Sequence, residues 1–258
     1  MKNNGYLELN GTKTKGLLEK EAFEGTMPTI YQIKAEICEI GKRMYNRGFV
    51  ASNDGNITVK IGDDEYLATP TGVSKGYMNP EDIIVVDSKG EKKFGSLRPS
   101  SEIKMHMLIY RRREDVKAVV HAHPVTATAF AVAGIPLTQC VLPEIIVTMG
   151  AVPLASYATP STEEVPNSLL PYIDKADAIM LANHGVVTVG KDLLEAYHRM
   201  ESVEHFAKVL FHALQLGNVN YLSKENVDAL IKVREKMGLG GKKYECEVCS
   251  VTDCPLRK

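Results

Sequence analysis

The sequence predicts a single α/β domain in which helices cover the faces of a central mixed sheet. Three observations carry this expectation. Strand-like segments in the first half are joined by short Gly- and Asp-containing turns, which favours antiparallel pairs over a doubly wound parallel sheet. Further on, apolar strand-like runs alternate with segments of helical period, and no internal repeat or low-complexity linker divides the chain. At 258 residues, 44% of them hydrophobic, there is material for one large core.

Residues 1–25 are polar and read as an arm, 26–240 as the folded domain and 241–258 as a cysteine-containing tail. In the domain, Thr29 to Gln32 has the capping-box form, and Ile30, Ile33, Ile37, Ile40 and Met44 recur at three and four residues until Gly48 stops the helix. Residues 56–61 and 65–70 read as two strands around Gly62, Asp63 and Asp64, and 83–94 as a strand, a Ser-Lys-Gly turn and its return. Pro99, Ser100 and Ser101 open a helix that runs to about Arg113, with Ile103, Met107 and Tyr110 on one face. A strand follows over 116–123, then a helix over 124–133, a strand over 137–148, a helix over 162–173 and a strand over 176–181. The longest helix is expected over 193–216, and a shorter one over 223–237.

Composition excludes several classes. A formal net charge of −1 argues against nucleic-acid or membrane-surface binding, both of which rest on a basic excess. The first 25 residues hold no apolar signal core and no stretch is long enough to span a membrane, so a cytoplasmic protein is expected. Five cysteines, three of them near the C-terminus, do not resemble a secreted disulfide framework. Neither a G-x-G-x-x-G fingerprint nor a P-loop is present.

Side-chain chemistry concentrates at a few places. Alternate residues of a strand point to one side, so His121 and His123 in VVHAHP present both imidazoles to one point while Ala122 faces away. Such a pair either offers two ligands to a metal or packs as neutral, hydrogen-bonded rings. A third histidine, His184, is set on a turn where the apolar run ADAIML breaks at Asn183-His184-Gly185. Three imidazoles with one open position match what a catalytic zinc needs, the alternative being that His184 only caps its turn. His198, His205 and His212 recur every seven residues on the longest helix, about two turns apart, which is too far for a shared ion. Glu102 lies in the first turn of its helix, where the dipole favours negative charge, and His106 is within reach of it one turn later.

Loop chemistry adds an anion site. Ser100 and Ser101 at a helix start, the loop over 68–76 with hydroxyls at Thr69, Thr71 and Ser74, and Asn56 in SNDGNIT bring hydroxyls, an amide and backbone N–H groups, and the three together suggest phosphate. In the tail, Cys246, Cys249 and Cys254 are one thiolate short of a closed zinc site. They read either as a second metal or redox site completed from elsewhere or as a thiol-bearing tail.

Read in order, DGN ending at Asn56, TPTG at 69–72, PSSE at 99–102, HAH at 121–123 and NHG at 183–185 resemble the class II aldolase/adducin family, most nearly its fuculose-phosphate aldolase branch. The likeness runs over roughly residues 28–238. It implies a three-layer α/β/α fold around a mixed, largely antiparallel sheet, and a homotetramer with active sites at subunit interfaces. It also implies zinc on His121, His123 and His184, Glu102 as the group that contacts the metal at rest and moves the proton, and Asn56, Thr71, Gly72, Ser100 and Ser101 around the substrate phosphate. The activity implied is zinc-dependent retro-aldol cleavage of a ketose 1-phosphate to dihydroxyacetone phosphate and an aldehyde, with the zinc as Lewis acid.

Related branches have 5-methylthioribulose-1-phosphate dehydratase or pentulose-phosphate 4-epimerase activity, or are non-catalytic adducin-like modules. The epimerase branch has aspartate where this chain has Glu102, and a scaffold has no need of three converging imidazoles. Two departures from the aldolase branch stand out. Leu142 replaces an interface tyrosine, with Glu144 two residues on, and Met237 replaces a C-terminal tyrosine. Both phenols serve the departing aldehyde, so Glu144 from a neighbouring subunit, or Tyr244, is the expected substitute acid.

Overall fold

The computed structural model describes residues 28–239. The expected arm over 1–25, Tyr244 and the cysteines of the tail lie outside the described residues. In chain order the elements are α1 (Ile30–Asn46), β1 (Asn56–Gly62), β2 (Glu65–Ala68), β3 (Ile84–Val86), β4 (Lys92–Phe94), α2 (Ile103–Arg112), β5 (Ala118–Ala122), α3 (Val125–Val132), α4 (Pro143–Thr148), β6 (Leu154–Ala155), α5 (Glu164–Leu169), β7 (Ala178–Leu181), β8 (Gly185–Gly190), α6 (Leu193–Gln215) and α7 (Lys224–Lys236). The strands form one sheet in the order β4-β3-β2-β1-β5-β8-β7-β6. Every pairing is antiparallel except the parallel β6–β7 edge, so the sheet is mixed and largely antiparallel as expected.

Strand alternation divides the interior into two cores, one on each face. Ala118, Val120 and Ala122 of β5 pack with Ile37 and Met44 of α1, Phe130 of α3 and Phe206 of α6. Val119 points the other way, into a core with Met105 and Met107 of α2 and Leu169 of α5. Helices on both faces make three layers. No helix among the described residues is long and apolar enough to cross a membrane.

Local rules account for the elements that were expected. The Thr29 hydroxyl accepts from the Gln32 N–H at 3.2 Å while the Gln32 side chain accepts from the Thr29 N–H at 2.7 Å, closing the capping box of α1. The Ser223 hydroxyl caps α7 by accepting from the Asn226 N–H. Glu204 of α6 is buried, and its carboxylate accepts from the backbone N–H groups of Thr126 and Ala127 at 2.9–3.1 Å. An anion thus caps α3 and fixes the chain directly after His123 and Pro124.

Several expectations are corrected. Residues 137–148 are not a strand: only Leu137 pairs, in an isolated bridge with Val152, and Pro143 starts the helix α4 at a position where its missing N–H costs nothing. The β-branched run after it mimicked a strand. The helix expected over 162–173 is confined to Glu164–Leu169. The strand expected over 176–181 is β7, and a further strand, β8, follows the His184 turn. Glu102 is the N-cap residue of α2 and sits just before the first turn. His106 reaches back to the sheet, with its Nδ1 2.8 Å from the Thr58 hydroxyl, which is also 2.9 Å from the Tyr110 hydroxyl.

Burial lowers the His106 imidazole to about 4 from its ordinary 6.5, with Glu102 opposing. The unfolded chain therefore binds a proton that the folded one refuses, so this contribution to stability is complete above about pH 6.5 and is lost as pH falls toward 4. His106→Gln is expected to remove roughly 2–3 kcal/mol of the stability difference between about pH 7 and about pH 4.5, read as urea midpoints. An unchanged difference in the variant would contradict a buried neutral ring.

Candidate metal centre

The site is built on the face of the sheet that meets α2. In the β1–β5 register Asn56 lies opposite His121, so both side chains emerge at the same end of the sheet beneath the start of α2. Gly55 makes this approach possible: its φ is +74°, and a Cβ there would lie 2.6 Å from a Val50 methyl and 2.9 Å from the His121 carbonyl. On the other side, a Cβ at Gly185 would meet the Ala122 carbonyl at 2.5 Å and the His123 ring at 2.6 Å. The glycines of DGN and NHG are thus needed for backbone to pack against β5. Asn183 takes a left-handed φ of 58°, which asparagine tolerates, and turns the chain tightly from β7 into β8 with His184 at the bend.

These constraints bring the three imidazoles together. Their ring centroids are 4.8–5.0 Å apart and their ligand nitrogens lie within 4.8 Å of one another. His121 Nδ1 donates to the Val186 carbonyl at 2.9 Å, which leaves Nε2 with its lone pair bare. That Nε2 is 3.1 Å from His123 Nε2, while His123 Nδ1 lies 3.4 Å from the Asp54 carboxylate. With the His123 Nδ1 proton directed to Asp54, both Nε2 atoms are free to face one ion. Nitrogens ~2.0–2.1 Å from a tetrahedral zinc are ~3.3 Å apart, close to the spacing found, and the Asp54–His123 pair is the partner that orients such a ligand. The donor set fits a divalent metal.

Glu102 closes the remaining side. Its carboxylate is 3.0 Å from His184 Nε2 and 3.4 Å from His121 Nε2, and it accepts from the Asn56 amide at 2.7 Å. Burial opposes its charge, but the imidazoles of His121 and His184 and the Asn56 amide hold the carboxyl well below the usual carboxylate range. Burial likewise drives the His121 ring down to about 3 and lowers His123, which keeps these two rings neutral and free to ligate.

The site opens into a cavity of about 230 Å³. Asn56, Thr71, Ser100, Ser101, Glu102, His123 and His184 line it, whereas His121 is buried behind them. Gly72 follows Thr71 but does not line the cavity, and Glu144 stands on the exposed side of α4, away from it. His198, His205 and His212 are all exposed along α6. Lining residues that the sequence did not single out include Asp54, Lys75 and Ser161. Asp54 sits inside the DGN motif, Lys75 lies in the turn-rich loop after Gly72 with nothing local to mark it, and Ser161, whose hydroxyl lies 2.8 Å from that of Ser101, has no sequence signal.

Three clustered imidazoles, an ionised carboxylate and a polar cavity define a metal-site enzyme. Residues 35–211 match the family model described as Class II Aldolase and Adducin N-terminal domain, and the chain belongs to that family, as a lyase of the metal-dependent class II aldolase type. It is 34% identical over 174 residues to an L-fuculose phosphate aldolase of Methanococcus maripaludis, covering 67% of this chain and 92% of that one. It is 30% identical over 211 residues to a 3-oxo-tetronate 4-phosphate decarboxylase of Pectobacterium atrosepticum, covering 80% and 96%. Among solved structures, an L-fuculose 1-phosphate aldolase superposes with a TM-score of 0.73 at 30% identity, covering 80% of this chain and 96% of that one.

The geometry makes a direct prediction. Purified protein loaded with zinc and then desalted should retain about one ion per chain, and His184→Ala should lower retention at least ~10-fold with an unchanged circular dichroism spectrum. Full retention in the variant would remove His184 from the ligand set.

Proposed function

We propose that this enzyme cleaves a carbon–carbon bond of a ketose 1-phosphate, resembling L-fuculose 1-phosphate or a 5-deoxypentulose 1-phosphate, to dihydroxyacetone phosphate and an aldehyde. The observation that supports this reading is the Glu102 carboxylate held between His121, His184 and Asn56 at the wall of a cavity otherwise lined by hydroxyl and amide groups. A divalent ion on His121, His123 and His184, zinc by expectation, would supply Lewis-acid stabilisation of the negative charge that develops on the substrate. Glu102 carries the proton at the carbon where the bond breaks, with the Asn56 amide fixing the orientation of its carboxylate. Ser100 and Ser101 at the start of α2, the Thr71 hydroxyl and the Gly72 N–H receive the phosphate, and this remote grip positions the reacting bond. In the proposed homotetramer, Glu144 of a neighbouring subunit reaches the departing aldehyde's oxygen.

A second reading has one observation in its favour. Retro-aldol cleavage needs a group to take a proton from the hydroxyl that becomes the aldehyde, and among the described residues lining the cavity there is no phenol. Loss of carbon dioxide from a 3-oxo-tetronate 4-phosphate needs no such group and leaves the same three-carbon phosphate.

One assay separates the two. Metal-loaded enzyme is given L-fuculose 1-phosphate and 3-oxo-tetronate 4-phosphate in turn, and dihydroxyacetone phosphate, aldehyde and carbon dioxide are measured. Aldehyde release that falls ~10²–10⁴-fold in Glu102→Gln is the expected result, with a further loss in Glu144→Gln. Carbon dioxide release from the oxo acid with no cleavage of the ketose phosphate would replace the first reading with the second.

A further inference from the structure

Lys75 is a buried cation at the cavity that neither reading uses. Its side chain is 1% exposed, a rare state for lysine. It begins a short 3-10 turn, Lys75–Tyr77, that packs tightly on α1: a Cβ at Gly41 would lie 2.6 Å from the Lys75 carbonyl. The ammonium donates to the Val73 carbonyl at 2.8 Å and to the Asn53 carbonyl at 3.1 Å. Val73 belongs to the loop that carries Thr71 and Gly72, and Asn53 to the turn that leads into Asn56. One side chain therefore ties together two of the three segments assigned to the phosphate.

The charge matters as much as the tie. Among the described residues lining the cavity, Lys75 is the only lysine or arginine. Its bonded acceptors are neutral carbonyls, which satisfy its hydrogens without cancelling its charge, and Asp54 is half exposed and turned toward His123. A buried ammonium in this state is destabilised unless an anion comes near. Burial pushes the amine down to about 8, with Asp54 opposing, so at neutral pH the charged form still predominates.

We propose that Lys75 is the positioning cation of the anionic subsite. Its ammonium sets the spacing between the Asn53 turn and the Val73 loop and gives the cavity the positive charge that a phosphate ester meets. This assignment rests on the phosphate reading above, and its test is arranged so that the two fail differently.

The probes are dihydroxyacetone phosphate and dihydroxyacetone, titrated into the metal-loaded full chain. Lys75→Gln keeps a donor for the loop carbonyls and removes the charge. It is expected to weaken the phosphate ester at least ~10-fold and dihydroxyacetone less than about twofold, with metal content unchanged. Lys75→Arg restores the charge and should bring the phosphate ester back to within about threefold of the wild type. Equal weakening of both probes in Lys75→Gln, or no weakening of either, overturns the assignment. Should Lys75→Gln not fold, Lys75→Arg decides alone: loss of the preference for the phosphorylated probe overturns the assignment, and its retention supports it. Failure of the phosphate reading itself shows in the wild type, as equal affinity for the two probes.

Discussion

His121 and His123 hold their Nε2 atoms 3.1 Å apart, with the His184 ring beside them. The surrounding architecture supplies the restraint. β5 lies between β1 and β8, both antiparallel to it, and each neighbour brings a glycine where its backbone closes on the histidines. The Val186 carbonyl fixes the tautomer of His121, the Asp54 carboxylate stands behind His123, and the Asn183 bend delivers His184. A cation among the three rings would meet ligands already held in place.

Charge within the cavity is divided in space. Glu102 stands on the histidine side, kept ionised against burial, while Lys75 stands under the hydroxyl-rich loops. A substrate with a phosphate at one end and adjacent oxygens at the other would meet each charge with its complement. Water would be displaced from both ends at once, which strengthens both interactions. The same three-carbon phosphate is shared by aldehyde-releasing and carbon dioxide-releasing reactions, so this division of charge serves either one. None of Leu142, Glu144 and Met237, the positions where the chain departs from the aldolase pattern, lines this cavity.

Much of this arrangement was legible in the chain because local rules govern it. The capping box at Thr29, the period of α1, the turn at Gly62 and the alternation across His121 and His123 each reflect a short-range preference that tertiary packing did not override. Two motifs, DGN and NHG, anchored the site because glycine is required where their backbones close on β5. Other features depend on packing that no local window contains. Residues 143–148 carry β-branched side chains, but Pro143 and the packing of α4 on α7 make them helical, with buried Arg234 of α7 donating to the Ile146 and Val147 carbonyls. Lys75 looks like any surface lysine until α1 is seen to cover it, and the hydroxyl pairing of Ser161 with Ser101 joins residues 60 positions apart.

A metal centre at this site requires that one ion bind to nitrogen ligands here in the full chain, tail included. X-ray absorption at the zinc edge of the loaded enzyme, repeated on Glu102→Gln, reads that environment directly. The expected spectrum has only nitrogen and oxygen neighbours at about 2.0–2.1 Å with the multiple scattering of three imidazoles, and one light-atom ligand altered in the variant. A first shell of sulfur at about 2.3 Å, or fewer than three imidazoles, would contradict it and move the ion to the cysteines of the tail.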